Sequence, residues 1–364
     1  MNTSLISASL AALALASAPC AQTIVSGGGP ALQNAIVAAA IGDTILVQAG
    51  TYDPVLVDKG LTVICDPGVA FTNTAQSISV QIHVIPVGQT VRWFGGEVLP
   101  STPVGEFRVF LCQGVVQVEG VIAPNCISND SAQVSFTDCQ FSLRTQVDNS
   151  TVAFTNCELH RTLACIGSVC SSLEVVDGGT ALVTDCVIVG PPGFSFISPA
   201  APGIYVDNST VRLAGSGTSV TGGGVNIASI RVGPLGGTID QDPLAVLNGA
   251  VLGGTANVTT VPAISTVGGT VGQAIPLTTY GEPGSFAFAV VGLPIPHVPT
   301  PFGDLWLLPP GLVVGSGVLP ANGELLANFT VPSGASGLSL TFQPVAIQLN
   351  GDLIIGSPTV VIYR

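Results

Sequence analysis

The residues best suited to acid–base chemistry lie close together in the middle of the chain. Glu158, His160 and Arg161 are near neighbours, and Arg144 shortly precedes them. A carboxyl, an imidazole and a guanidinium on one surface offer groups that donate, accept or stabilise protons in sugar cleavage. The same groups would also suit a sugar-binding patch. One His beside one Arg has no defined nucleophile or metal partner, so an ordinary solvated edge is the competing interpretation.

A second set of polar residues recurs at regular places. Four similar segments begin with an aspartate: Asp130, Asp148, Asp177 and Asp207. Asp is common in turns because its side chain bonds nearby backbone amides. Rows of oxygen ligands can also bind hard cations, so a Ca²⁺ row is the alternative to a purely structural role. No other cofactor is predicted.

The four segments are copies of one structural repeat. They read DSAQVSFTDC at 130–139, DNSTVAFTNC at 148–157, DGGTALVTDC at 177–186 and, more degenerate, DNSTVRLAGS at 207–216. Each pairs a polar turn with a strand of alternating residues. A unit this short cannot bury its own apolar face, so the copies must stack in parallel as a solenoid. Val116, Val134 and Val152 then form one inward ladder, and Val118, Phe136 and Phe154 form another.

The cysteines allow two interpretations. Cys139, Cys157 and Cys186 share one repeat position, which favours an inward stack of small apolar residues over zinc or redox chemistry. Nine Cys become eight once the segment holding Cys20 is removed, an even number typical of an oxidising compartment. We therefore expect most of the eight to be paired, with Cys165 and Cys170 as the best candidate disulfide.

Composition and the N-terminus limit the partners. The net charge is −13 and Lys59 is the only lysine, so the basic surface that nucleic acid requires is missing. Residues 1–21 contain an apolar stretch too short to span a bilayer, followed by small residues, as in a secretory signal. No later apolar run is long enough for a membrane helix. The chain is predicted to be secreted or displayed at the cell surface.

The first mature segment carries a family resemblance. Leu32, Ala35 and Ile36 repeat at helical spacing, and GDTILVQAGTY at 42–52 then switches to short strands. This opening resembles that of right-handed parallel β-helix proteins of the pectin lyase-like superfamily. The resemblance covers roughly residues 24–260. It implies that the helix plugs the end of the β-helix.

The pattern changes near Val261. From there the strands are longer and alternating, with Gly and Pro turns and almost no charge, which indicates an antiparallel β-sandwich. The predicted fold is therefore all-β: a right-handed parallel β-helix over 22–260 and a β-sandwich module over 261–364. The module is similar to C-terminal modules of secreted bacterial repeat proteins, and we expect it to cover the open C-terminal end of the solenoid.

The catalytic motifs of the superfamily do not match this chain. Pectate-lyase-like sites cluster carboxylates for Ca²⁺ beside an Arg or Lys base, polygalacturonase-like sites group Asp residues, and pectin-methylesterase-like sites need two Asp and an Arg. Fold alone does not define function. The predicted function is a non-catalytic structural, adhesive or glycan-binding role. The alternative is a divergent polysaccharide lyase or glycoside hydrolase that uses the four residues named first.

Overall fold

The structure is a computed structural model that describes residues 21–72, 78–100, 104–162, 170–193, 200–224, 226–332 and 338–363. The proposed signal segment therefore lies almost wholly outside the described residues. Within these ranges the chain is nearly all strand, with one α-helix at Ala31–Ala38. No helix in the described part of the chain is long and apolar enough to cross a membrane.

Three stacked parallel sheets, which we call A, B and C, form a β-helix. Sheet A contains Gln22–Val25, Thr44–Val47, Thr62–Cys65, Thr90–Phe94, Val115–Glu119, Gln133–Thr137, Thr151–Thr155, Thr180–Thr184, Ser209–Ala214, Gly237–Gln241 and Asn257–Val258. Sheet B contains Gly50–Tyr52, Val69–Phe71, Glu97–Val98, Ile122–Ala123, Gln140–Phe141, Glu158–His160, Val187–Val189, Ser219–Thr221 and Val246–Asn248. Sheet C contains Val55–Val57, Ile78–His83, Glu106–Phe110, Asn125–Asn129, Thr145–Asp148, Leu173–Val176, Ile204–Val206, Ile230–Val232 and Val251–Leu252.

The inward ladders have the predicted register. Val116 pairs with Val134 and Val134 with Val152, while Phe136 pairs with Phe154 on the next strand. The rings of Phe136 and Phe154 stack with centroids 5.4 Å apart. Each of these side chains is buried in the core that runs down the solenoid. Because strands in a sheet are about 4.8 Å apart, identical residues at one repeat position meet directly.

The cysteine stack is confirmed, but extensive disulfide pairing is not. Cys139, Cys157 and Cys186 are buried in the solenoid core, and each thiol lies near the carbonyl two residues before it. The expectation that most cysteines pair is wrong, because six of the eight mature ones, all among the described residues, are free and buried: Cys65, Cys112, Cys126, Cys139, Cys157 and Cys186. The apolar interior uses them as small side chains. The pairing of Cys165 with Cys170 stays a prediction, since Cys165 lies outside the described residues.

The helix closes the N-terminal end of the solenoid, as the resemblance implied. Leu32 and Ile36 are buried and belong to the solenoid core. Gln33 fixes the helix to the first coil by accepting the N–H of Leu56 at 2.6 Å. Lys59 donates to the carbonyl of Ala39 at 2.8 Å, just past the helix C-terminus, where a cation is favourable.

The C-terminal module is built from antiparallel strands. One sheet contains Ala263–Thr266, Ala274–Tyr280 and Glu324–Thr330. The other contains Leu312–Val318, Phe286–Gly292, Ser339–Ile347, Leu353–Ile355 and Thr359–Ile362, and a separate hairpin joins Pro294–Thr300 to Gly303–Leu307. The two sheets bury a common core that includes Leu277, Val291, Phe329 and Phe342. We refer to this module as the sandwich.

The sandwich packs on the side of the solenoid, which corrects the expectation that it covers the C-terminal end. Trp306 packs on Ala153 and Leu182 of the outer face of sheet A. Thr137 Oγ1 donates to the carbonyl of Val360 at 2.6 Å. The last coil is left open, with Val258 64% exposed. The outer rows of sheet A have small side chains such as Ala153 and Thr137, which allow the sandwich strands to approach closely.

A row of turn residues fixes the position of the sandwich. Asp138, Asn156 and Asp185 follow successive sheet A strands with φ near 53°, the left-handed region that Asp and Asn tolerate. Asp138 Oδ2 accepts the N–H of Gly268 at 3.1 Å, and Asp185 Oδ2 accepts the hydroxyl of Tyr280 at 2.7 Å. These turn residues therefore also dock the sandwich on sheet A.

Candidate functional site

Several charged side chains lie on the outer face of sheet C. The sandwich contacts described above are with sheet A. Parallel register places the side chains of sheet C in rows that cross the strands. The central row contains Arg108, Ile127, Gln146, Glu174, Tyr205 and Arg231. The flanking rows include Glu106, Asn125 and Arg144 on one side and Phe110, Asn129, Asp148 and Asp207 on the other. We call this surface the sheet C face.

The centre of the sheet C face is an ion-pair triad. Glu174 is only 3% exposed, and its Oε2 lies 2.6 Å from Arg144 Nη2. Its Oε1 lies 3.3 Å from Arg161 Nη1, which also donates to the carbonyl of Ser171 at 2.9 Å. Burial lowers the pKa of the Arg161 guanidinium, and Glu174 opposes this shift. Both carboxylate oxygens of Glu174 are thus occupied by guanidinium groups.

The structure brings together two of the four predicted acid–base residues. Arg144 and Arg161 meet at Glu174, while Glu158 and His160 lie on a strand of sheet B. Glu158 is exposed there, and His160 Nε2 is buried with no hydrogen-bond partner among the described residues. No acid–base pair therefore forms from these four side chains. Sequence reasoning missed Glu174, whose one signal is an acid inside the apolar strand LEVV.

A second buried carboxyl lies on the same face. Glu106 is 6% exposed and forms an ion pair with Arg108 on the same strand. Burial raises the pKa of Glu106, while the charge of Arg108 opposes this shift. The strands of Glu106 and Glu174 are three steps apart in sheet C. At about 4.8 Å a step, the backbones of the two strands are separated by about 14 Å.

Aromatic side chains lie at the edge of the sheet C face. The rings of His83 and Phe110 are stacked, with centroids 5.5 Å apart and planes within 8° of parallel. Both side chains are half-buried. Tyr205 lies further along the central row, and its hydroxyl is 3.4 Å from Asp207 Oδ2. A partly exposed flat ring next to polar rows can pack against the C–H face of a sugar ring.

The proposed calcium row is offset in the structure. The left-handed positions after sheet C are Asp130, Asn149, Asp177 and Asn208, so acids and amides alternate along the stack. Asp148 and Asp207 lie one residue earlier. The offset arises because the turn at Asp130 contains one more residue than the turn at Asp148, which a comparison of the strands alone does not reveal.

Asparagine side-chain amides already donate hydrogen bonds to carboxylate oxygens of that row. Asn149 Nδ2 donates to Asp130 Oδ1, and Asn129 Nδ2 donates to Asp148 Oδ2, both at 2.7 Å. Burial raises the pKa of Asp148, and the charges of two neighbouring aspartates add to the shift. In the described part of the chain, no group of three or more His, Cys, Asp or Glu side chains is arranged to hold a metal ion. Calcium binding by the row stays a prediction.

Comparisons with known proteins give no family assignment. No protein-family model matches the chain, and no curated protein matches it. The parallel β-helix is thus established by the structure, and the site must be interpreted from its own residues.

Proposed function

We propose that this is a non-catalytic secreted or cell-surface protein that binds a neutral glycan along the sheet C face. The proposal rests on one observation, namely that both buried carboxyl groups of the face form ion pairs with arginines. Glu174 is held by two guanidinium groups, and Glu106 is paired with Arg108. Such a surface presents polar atoms in fixed rows, and its two buried carboxyl groups lie on strands three steps apart.

Distance argues against glycoside hydrolysis by the pair Glu106 and Glu174. The two carboxyl groups of a hydrolase lie roughly 5–10 Å apart, because both must reach one glycosidic bond. The strands of Glu106 and Glu174 are about 14 Å apart, which is more than this range. A glycan lying across the strands would contact each carboxyl at a different sugar ring.

The charge balance favours a neutral ligand. Among the side chains of the rows and the ion-pair triad, four arginines and four acids have formal charges that cancel: Arg108, Arg144, Arg161, Arg231, Glu106, Glu174, Asp148 and Asp207. The whole chain has a net charge of −13, which repels acidic polymers at long range. The stacked rings of His83 and Phe110 supply an apolar contact that does not depend on ligand charge.

Affinity electrophoresis in gels containing soluble polysaccharides tests the proposal. Neutral polymers such as β-glucan, galactomannan and arabinoxylan should retard the full chain, and pectate and alginate should not. Replacing Phe110 with Ala should weaken the retardation about tenfold. Phe286→Ala is the matched control, because Phe286 is a partly exposed phenylalanine on the sandwich that lies in neither proposed sugar site. The proposal fails if no neutral polymer retards the protein, or if Phe110→Ala has no effect.

The alternative function is a divergent polysaccharide hydrolase or lyase. One observation favours it, namely the raised pKa of Glu106, since a proton donor must stay protonated near neutral pH. Incubation of the same polymers with the protein, with and without calcium, would reveal new reducing ends or unsaturated products. Turnover that disappears in Glu106→Gln would replace the non-catalytic proposal with this one.

A further inference from the structure

A second polar cleft lies where sheet A emerges from beneath the sandwich. It has a volume of about 500 Å³, within the range of small-ligand sites. Arg212 follows Leu182 in the outer row of sheet A, and Asp240 follows Arg212. Trp306 covers Leu182, so Arg212 and Asp240 are the first residues of the row beyond this contact. The lining also includes Phe302 of the sandwich. We call this site the junction cleft.

The solenoid wall of the junction cleft supplies hydrogen-bond donors and acceptors. Arg212 Nε is 3.5 Å from Asp240 Oδ2, and the two side chains are 43% and 20% exposed. The guanidinium makes no other contact of this kind among the described residues, so its terminal N–H groups can donate to a ligand. Asp352, on the sandwich wall, accepts from Asn350 at 2.7 Å and keeps further lone pairs.

The sandwich wall supplies a partly exposed aromatic ring. Phe302 is 49% exposed. Its backbone is fixed on both sides, because its N–H donates to Thr300 Oγ1 at 3.1 Å and its carbonyl accepts the N–H of Ile355 at 2.6 Å. Leu353 lines the cleft nearby and is 36% exposed. Phe302 and Leu353 thus give the cleft a partly exposed apolar surface on a fixed backbone.

We propose that the junction cleft binds a single neutral sugar ring. The C–H face of the sugar packs on Phe302, its hydroxyls donate to Asp240 and Asp352, and Arg212 donates to a ring or hydroxyl oxygen. One guanidinium and two carboxylates give the cleft a formal charge of −1, which disfavours an acidic sugar. This site uses none of the residues of the sheet C face, so it is independent of the function proposed above.

Saturation-transfer NMR and titration calorimetry on the full chain test the proposal with small probes. The probes are the methyl glycosides of glucose, galactose, mannose and xylose. At least one should bind, Phe302→Ala should weaken its binding about tenfold, and Phe302→Tyr should retain it. Arg212→Ala should also weaken binding. Phe286→Ala, which alters a partly exposed phenylalanine outside both proposed sugar sites, is the control and should leave glycoside binding unchanged.

Two results would overturn the junction cleft as a sugar site. One is the lack of saturation transfer to all four glycosides, and the other is binding that survives Phe302→Ala. Glycoside binding lost in Phe110→Ala instead would assign the ring to the sheet C face and also refute the proposal. Glycoside binding that depends on Phe302, in a protein that no neutral polymer retards, would refute the function proposed for the sheet C face and support the junction cleft.

Discussion

Replacing Leu182 with Asp should detach the sandwich from the side of the solenoid. Leu182 points outward from sheet A and would be exposed on a bare solenoid, yet it is 4% exposed because it packs against Trp306 and Ala153. Loss of the buried leucine costs about 2 kcal/mol. Burying the new carboxylate adds about 3 kcal/mol even beside Arg212, its neighbour in the row, because Arg212 is already paired with Asp240. A total of about 5 kcal/mol would shift the docking equilibrium by more than a thousandfold.

The matched control is Ile122→Asp. Ile122 also points outward from the solenoid, but it lies in sheet B and is 47% exposed. Its replacement should leave docking unchanged, because the new carboxylate stays in water. The two variants carry the same added charge, so a difference between them reports burial beneath the sandwich.

Tryptophan fluorescence and small-angle scattering provide the readout. Trp306 is fully buried at the interface, while Trp93 is fully buried inside the solenoid and should not respond. Detachment should shift the emission of Trp306 to longer wavelength and enlarge the radius of gyration, without loss of β-sheet circular dichroism. Unchanged emission and radius in Leu182→Asp would refute docking on sheet A.

The buried interior of the solenoid and the turn residue Asp138 give three further predictions. Phe136→Ala should destabilise the solenoid by about 3–5 kcal/mol, measured by denaturant unfolding, since it removes a fully buried ring from the ladder. Asp138 has a pKa raised by burial, so its protonated form is favoured in the fold and the stability it contributes is lost as pH rises through the raised pKa. The stability of Asp138→Asn relative to the unaltered protein should therefore increase between acidic and neutral pH, and a constant difference in unfolding curves would contradict this. Complete burial raises the pKa of Cys139 and Cys186, so both thiols should resist alkylation in the native protein and react after denaturation, as peptide mass mapping would show.

The repeat made the solenoid predictable from sequence. Val116, Val134 and Val152 are equally spaced, and a period of one coil allows only a register in which they meet. The ion-pair triad was harder to predict from the sequence, because the coil that contains Arg161 and Glu174 is longer and interrupts the regular spacing of the repeats. Pairwise distances across coils of unequal length depend on where the extra residues leave the strand, and the repeat does not encode that.

The position of the sandwich could not be predicted from alternation. Thr137 and Thr155 are polar residues at outward positions, as on any solvated strand, yet both are buried and bonded to the sandwich. A threonine suits water and a polar interface equally well. The docking surface is recognised only when both partners are seen, whereas the inward ladders are defined by apolar side chains alone.

The interface between the sandwich and sheet A has buried polar groups on both sides. Gln117 and Gln133 on sheet A are each 1% exposed, and their side-chain amides have no hydrogen-bond partner among the described residues. Thr341 Oγ1 and Trp306 Nε1 on the sandwich are also buried without a hydrogen-bond partner among the described residues. Buried amides and hydroxyls need partners, and ordered water is the usual one when protein groups do not supply it. An interface with polar groups on both sides resembles the contact between two separately folded units more than it resembles a single apolar core. Each of the two faces would also be compatible with water before docking.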